Sequence, residues 1–236
     1  MQRFNSVVNT VELVTSESGS FVRKQYKDTA IATGIKVPIK RVEIEINVLD
    51  FLKNQKSSIS NFISVPRILN VDLSMPFIEI EYINGETLFE ILEGGNTLKC
   101  NFFEVGQWLH HFENQLFNNY QNLFEGLSST QNEIASILES YKGCFKDKNE
   151  KHSVSLGDVG FKNLIWASSR LWAIDFDFAH VAVAGRDVGQ LLAQLETRNM
   201  DKKLSQDLIN GYLKDGGCLN LIESWKDIFS KYYQKQ

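Results

Sequence analysis

The chain has 236 residues but only three prolines, and it holds no low-complexity tract or internal repeat, so no obvious linker divides it. Cysteine is scarce too. Cys100, Cys144 and Cys218 are an odd, widely spaced set without a CxxC pair. That argues against a zinc knuckle or redox couple, and for reduced thiols in a cytoplasmic protein. Nowhere do 18 consecutive apolar residues occur, so no membrane span is expected. The first residues, MQRFNSVVNT, lack the apolar core of a signal peptide. Positive charge is also short. With 25 Lys and Arg against 29 Asp and Glu the formal net charge is −4, and the basic residues form no stripe. A nucleic-acid binder relying on broad phosphate neutralisation is therefore not expected.

What is present fits a soluble globular chain, with 43% apolar and 23% charged residues. Its length can bury a core as one large domain or two small lobes. TVELVT (10–15) and SFVRKQY (20–26) alternate in polarity around Glu17-Ser18-Gly19, which predicts a hairpin. Val42, Ile46, Leu49 and Leu52 recur at helical spacing. VPRILNVD and FIEIEY then read as two strands around the turn LSMP. From Gly85 the pattern turns helical over 86–93, 98–117 and 131–143, with a polar loop, NNYQNLFEGLSSTQN, before the last. Short strands return at 153–156, 164–167 and 171–174, and helices dominate from Arg186. The expected class is α+β: a small antiparallel-sheet lobe (1–82) joined through YINGE to a mostly helical lobe (83–236). A ligand belongs in the cleft between them.

Within SLGDVGFKNLIW (155–166), Asp158 and Asn163 thread polar groups through an otherwise apolar run. The hairpin LIWA–SSR–LWAI brings its ends together, so Asp175 returns close to Asn163. Three oxygen donors then gather at one end of a small sheet, a set suited to a hard cation such as Mg²⁺. Asp158, five residues ahead of the amide, stands apart from the metal and is free to accept a proton.

This run resembles the catalytic loop of the protein-kinase-like superfamily, in its aminoglycoside and choline phosphotransferase branch. Leu156-Gly157-Asp158, Asn163 and Ile174-Asp175-Phe176 follow that pattern, with Leu156 where the family has histidine. GRDVGQLLAQL resembles the helix start whose Asp, here Asp187, braces the loop. GSFVRKQY resembles the strand bearing the phosphate-pairing lysine, here Lys24, which taken alone reads as an exposed strand lysine. RVEIEINVLDFL resembles the helix carrying the lysine's partner; Glu45 fits the register best, with Glu43 competing. The match spans roughly residues 8 to 195.

The resemblance implies the bilobal protein-kinase-like fold and an ATP-dependent phosphotransferase acting on a hydroxyl of a small molecule. Lys24, held by Glu45, would grip the α and β phosphates. Asn163 and Asp175 would hold Mg²⁺, and Asp158 would orient or deprotonate the acceptor. Val22 would lie over the adenine, Ile165 and Ile174 would close its other side, and the backbone of Glu81 and Ile83 would meet the adenine edge. FNSVVNTV has no glycine cluster, so Ser6, Asn9 or backbone N–H groups would cover the phosphates. Asp177 is the runner-up to Asp175 on the metal, and His180 is a weaker candidate for the cleft wall. Lys162 reads as a solvated lysine at a loop edge. Glu86, Glu90 and Glu93 share one helical face that reads as solvated. A pseudokinase and a Ser/Thr protein kinase remain as alternatives, although no APE-like anchor follows IDFDFA. The acceptor and the oligomeric state are not legible.

Overall fold

The structure is a computed structural model that describes residues 2–4, 9–17, 19–27, 29–30, 35–36, 40–54, 63–95, 101–138 and 151–234. Its front half runs β1 (Gln2–Phe4), β2 (Asn9–Ser16), β3 (Gly19–Tyr26), the short β4 (Thr29–Ala30) and β5 (Ile35–Lys36), then α1 (Arg41–Asn54). After it come β6 (Ile63–Ser64), β7 (Ile68–Asp72) and β8 (Phe77–Glu81). An antiparallel sheet forms in the order β1-β2-β3-β8-β7. The predicted hairpin closes where Ser16 pairs with Gly19, which sits at φ +125°, a conformation glycine reaches without steric cost. On α1 the core face is broader than its spacing suggested. Ile44 and Val48 are fully buried beside Val42, Leu49 and Leu52, while Ile46 is only half-buried.

The rear half holds β9 (Glu86–Thr87), α2 (Leu88–Glu93), α3 (Phe102–Asn118), α4 (Tyr120–Leu123), α5 (Ser128–Leu138), β10 (His152–Ser155), β11 (Leu164–Ala167), β12 (Arg170–Ala173), β13 (His180–Val183), α6 (Arg186–Thr197), α7 (Lys202–Leu213) and α8 (Leu219–Tyr233). Helix α2 starts two residues later than its period implied. Thr87 caps it in a reciprocal box with Glu90, and residues 86–87 pair with β11 instead. The expected polar loop after α3 carries the short α4 and the first turn of α5. Leu123, Phe124 and Leu127 are the reason, since all three are buried in the main core. Strand β13, absent from the sequence reading, pairs antiparallel with β10.

Two helix crossings set the spacing of this half. A Cβ on Gly106 would lie 2.1 Å from the Leu208 carbonyl oxygen, and one on Gly211 would lie 1.9 Å from that of Phe103. Helices α3 and α7 therefore meet backbone to backbone. Gly189 of α6 lies as tightly against Trp225 of α8, where a Cβ would be 2.4 Å from the tryptophan Cβ. The two halves are also stitched by strands. Short β6, from the front half, pairs in parallel with β12, giving the order β6-β12-β11-β9.

Candidate active site

Lys24 is not an exposed strand lysine. It is 5% exposed, on the inner face of β3, and its Nζ lies 2.6 Å from Glu45 Oε2 and 3.4 Å from Asp177 Oδ1. Its third partner is the Asp175 carboxylate. Burial works against the Lys24 charge, but Asp175, Asp177 and Glu45 outweigh it and hold its pKa above the ordinary lysine value. Glu45 is the α1 acid that faces inward, whereas Glu43 reaches Lys40 at 3.8 Å on the outside. The period-two face of β3 supplies a further partner that sequence reasoning missed, for the Tyr26 hydroxyl donates to Glu45.

Asp175 follows the β11–β12 hairpin with φ +71°, a left-handed conformation uncommon for a non-glycine residue. The hairpin closes as its length implied. Leu164 pairs with Ala173, and the Ile174 N–H donates to the Asn163 carbonyl at 3.0 Å. Asn163 and Asp175 are thereby neighbours in space. Burial pushes the Asp175 pKa up, Lys24 pulls it back, and Asp177 and Glu45 push it further. Its side chain is still 36% exposed. Asp177 is wholly buried instead, 2.5 Å from Arg41 and 3.1 Å from the Asn9 amide. Burial opposes its charge, yet Lys24 and Arg41 hold its pKa below the ordinary value.

Arg41 was also missed, although it stands four residues before Glu45, on the same face of α1. Its guanidinium is fully buried, donates to Asn9 Oδ1 and the Lys27 carbonyl, and lies over the Tyr26 and Phe178 rings. Asn9 is thus turned inward at 4% exposure, away from the phosphate-covering role expected of its side chain. Ser6 lies outside the described residues.

The loop between β10 and β11 is braced from α6. Asp187 accepts from the Ser155 hydroxyl at 2.6 Å and from the Leu156 N–H at 2.7 Å, while the Leu156 side chain is buried in the core. Gly157 turns the chain at φ +93°, and a Cβ there would lie 2.3 Å from the Phe178 carbonyl oxygen. Asp158 follows with its side chain exposed. Its Oδ1 accepts from Gln190 Nε2 at 3.0 Å, and its carbonyl accepts from Asn163 Nδ2 at 2.7 Å. The protein packed around Asp158 raises its pKa, while the Gln190 hydrogen bond and the Arg186 charge lower it; the net direction is upward.

Val22, Ile165 and Ile174 are half-buried, Val22 opposite Ile80 in the sheet and Ile165 opposite Trp172. Ile83 is buried. The Glu81 N–H donates to the Arg67 carbonyl at 2.9 Å. Gly85 passes so close to β11 that a Cβ would lie 2.3 Å from the Trp166 carbonyl oxygen. His180 does not line the cleft; it is fully buried on β13, with Nδ1 2.8 Å from the Phe178 carbonyl. Lys162 is exposed, its Nζ 5.1 Å from the Phe89 ring centre. Glu86, Glu90 and Glu93 are exposed. Among the described residues no helix is long and apolar enough to cross a membrane.

No protein-family model and no curated protein sequence matches the chain. Solved structures do match. A choline kinase from Streptococcus pneumoniae is 12% identical and superposes with a TM-score of 0.59, covering 100% of this chain and 86% of that one. A macrolide 2'-phosphotransferase from Brachybacterium faecium is 13% identical, TM-score 0.61, covering 98% and 83%. APH(2")-IIa, in a ternary complex with streptomycin and ATP, is 16% identical, TM-score 0.60, covering 96% and 80%. At such low identity the common ground is architecture, and by architecture this chain has the protein-kinase-like fold in the form found in choline kinases and aminoglycoside phosphotransferases.

Proposed function

We propose that the chain is an ATP-dependent phosphotransferase that moves the γ-phosphate to a hydroxyl of a small molecule. One observation carries this reading. Lys24 of β3, Glu45 of α1 and Asp175 after β12 meet at one point, the closed β11–β12 hairpin brings the Asn163 backbone next to that of Ile174 and Asp175, and the exposed Asp158 lies on the same loop as Asn163. The small-molecule kinases of the same fold, one of them solved with ATP, give the reaction class its support.

On this reading the nucleotide lies between residues 1–82 and 83–236. Val22 packs on one side of the adenine and Ile165 and Ile174 on the other, while the backbone of Glu81 and Ile83 meets its edge. Lys24 grips the α and β phosphates and Glu45 fixes it in place. Carboxylate oxygens of Glu45, Asp175 and Asp177 lie within 4.8 Å of one another, a hard-oxygen set that suits Mg²⁺. Glu45 and Asp177 are buried and matched by Lys24 and Arg41, so Asp175, with Asn163, is the pair left to hold the ion. A bound Mg²⁺ would neutralise charge on the phosphates. Asp158 takes the acceptor's hydroxyl proton as the oxygen bonds to the γ-phosphorus and ADP departs.

The pseudokinase alternative rests on Leu156 and on the glycine-poor loop FNSVVNTV. The Leu156 side chain packs into the core while Asp187 holds the backbone of its loop, so that loop is supported without a histidine. Reduced thiols favour a cytoplasmic setting, and Cys218 is free. The test is transfer of labelled γ-phosphate from ATP across a panel of hydroxylated small molecules, with a casein-like protein for contrast. Label on a small molecule supports the reading. Label on protein alone overturns the small-molecule assignment.

A further inference from the structure

Asp187, Gln190 and Gln194 lie three and four residues apart on α6, and each holds a different part of the loop that carries Asp158. Asp187 takes Ser155 and Leu156, Gln190 takes the Asp158 carboxylate, and Gln194 Oε1 accepts from the Phe161 N–H at 3.1 Å. The far end is anchored too, since Gln194 Nε2 donates to the Tyr233 hydroxyl at 3.0 Å, near the end of α8.

Gln190 differs from the other two because it holds the Asp158 side chain itself. It is 4% exposed, and its amide has a donor end and an acceptor end. Arg186 Nη1 lies 3.3 Å from Gln190 Oε1 and donates to it. The same nitrogen donates to the Gly157 carbonyl at 2.7 Å. An oxygen facing a guanidinium and an NH₂ facing a carboxylate leave only one sensible orientation for the amide. The donor is therefore always presented to Asp158 Oδ1, and the other carboxylate oxygen stays available to the cleft.

We propose that Gln190 is a positioning residue that aims the Asp158 carboxylate at the acceptor hydroxyl. The role rests on the phosphotransferase reading above. A neutral amide suits it, fixing the carboxylate's rotation without the full ion pair that would weaken it as a proton acceptor. Neither the nucleotide groups nor the metal pair touches Gln190, so its loss should leave MgATP binding alone.

The test uses Gln190→Met, which keeps bulk and removes both polar ends, and Gln190→Asn, which keeps the amide but withdraws it by one methylene. The expected result in both is a kcat lowered about 10–100-fold, as for a small misplacement of a reacting group. KM for ATP should stay within a few-fold, and MgATP should raise the melting temperature as in the wild type. A kcat within twofold of wild type in both variants overturns the proposal. So does loss of the MgATP-induced rise together with kcat, which would mark a general structural role. If the wild type transfers phosphate to no acceptor, the phosphotransferase reading fails by itself. The crystal structure of Gln190→Met then decides the positioning claim: a rotated Asp158 carboxylate supports it, and an unmoved one overturns it.

Discussion

Glu113 provides a test of the fold that does not depend on any activity. It sits on α3 at 1% exposure, where its Oε2 accepts from the Tyr212 hydroxyl at 2.6 Å and from the Gly185 N–H at 3.2 Å. Three elements meet at this carboxyl, since Tyr212 belongs to α7 and Gly185 precedes α6. Burial first, and the Asp187 charge second, push its pKa from 4.5 up to about 8, although the Tyr212 and Gly185 hydrogen bonds pull the other way. A raised folded-state value means the fold holds this proton more tightly than the unfolded chain does. The stabilisation is complete below about pH 4.5 and drains away as pH rises through about 8. Each tenfold change in proton affinity is worth about 1.4 kcal/mol, so the whole span is bounded at roughly 4–5 kcal/mol. At about 2–4 °C per kcal/mol, the upper bound on the melting shift is on the order of 10–20 °C. Glu113→Gln keeps an oxygen for Tyr212 and Gly185 but has no proton to lose. Denaturant titrations from pH 5 to pH 9 should show the wild type losing stability relative to Glu113→Gln as pH rises. Parallel curves over that range would refute the reasoning.

Other expectations concern the site. Asp158→Asn should lower transfer by about 10²–10⁴-fold with the fold intact, read by steady-state kinetics and circular dichroism. A saturating ligand at a hundredfold excess over Kd stabilises by about 2.7 kcal/mol, so MgATP should raise the melting point by several degrees. Asp158→Asn should keep that rise and Asp175→Asn should lose it; equal rises would show that the metal assignment is wrong. Lys24→Ala leaves Glu45, Asp175 and Asp177 without their shared cation, so it should cost about 3–5 kcal/mol in denaturant melts as well as ATP use. Gly211→Ala drives a Cβ to 1.9 Å from the Phe103 carbonyl oxygen and should cost about 1–3 kcal/mol or more; an unshifted midpoint would contradict the α3–α7 crossing.

What could be read in the residues follows a physical divide. The β2–β3 hairpin, α1 and the β11–β12 hairpin were legible because polarity alternates or recurs locally, and each depends on neighbours in the chain. Proximity of Asn163 and Asp175 followed from hairpin closure alone. The Asn9–Arg41–Asp177 network was not legible. Its hydrogen bonds join residues 32 and 168 positions apart, and no local period reports such contacts. Lys24 reads wrongly in isolation for the same reason, because three distant carboxylates make its burial tolerable. Helix α4 was hidden by polar composition, since only Leu123 of its four residues is buried.

The charges of the buried cluster also bear on how the site would load. Two basic side chains, Lys24 and Arg41, face three carboxyl groups, Glu45, Asp175 and Asp177, and the Asp175 pKa is pushed up within that cluster. On the phosphotransferase reading, Lys24 cannot hold phosphate oxygens and all three acids with its three N–H donors. One carboxylate has to give way. Asp177 is tied to Arg41 and Asn9, and Glu45 to the Tyr26 hydroxyl, so both are fixed by groups other than Lys24. Asp175 alone has a side chain with substantial exposure, 36% against 1% for each of the other two. Exchange at Asp175, from lysine to a hard cation, is therefore the smallest change that frees Lys24 for phosphate. On the same reading Arg41 would make the exchange selective, because without it Asp177 would be a second unmatched carboxylate two residues away. Arg41→Met should accordingly blur the difference in MgATP stabilisation between Asp175→Asn and the wild type, measured as melting shifts in the double and single variants. A difference that persists unchanged in the Arg41→Met background would show that Asp177 plays no part in choosing where the cation goes.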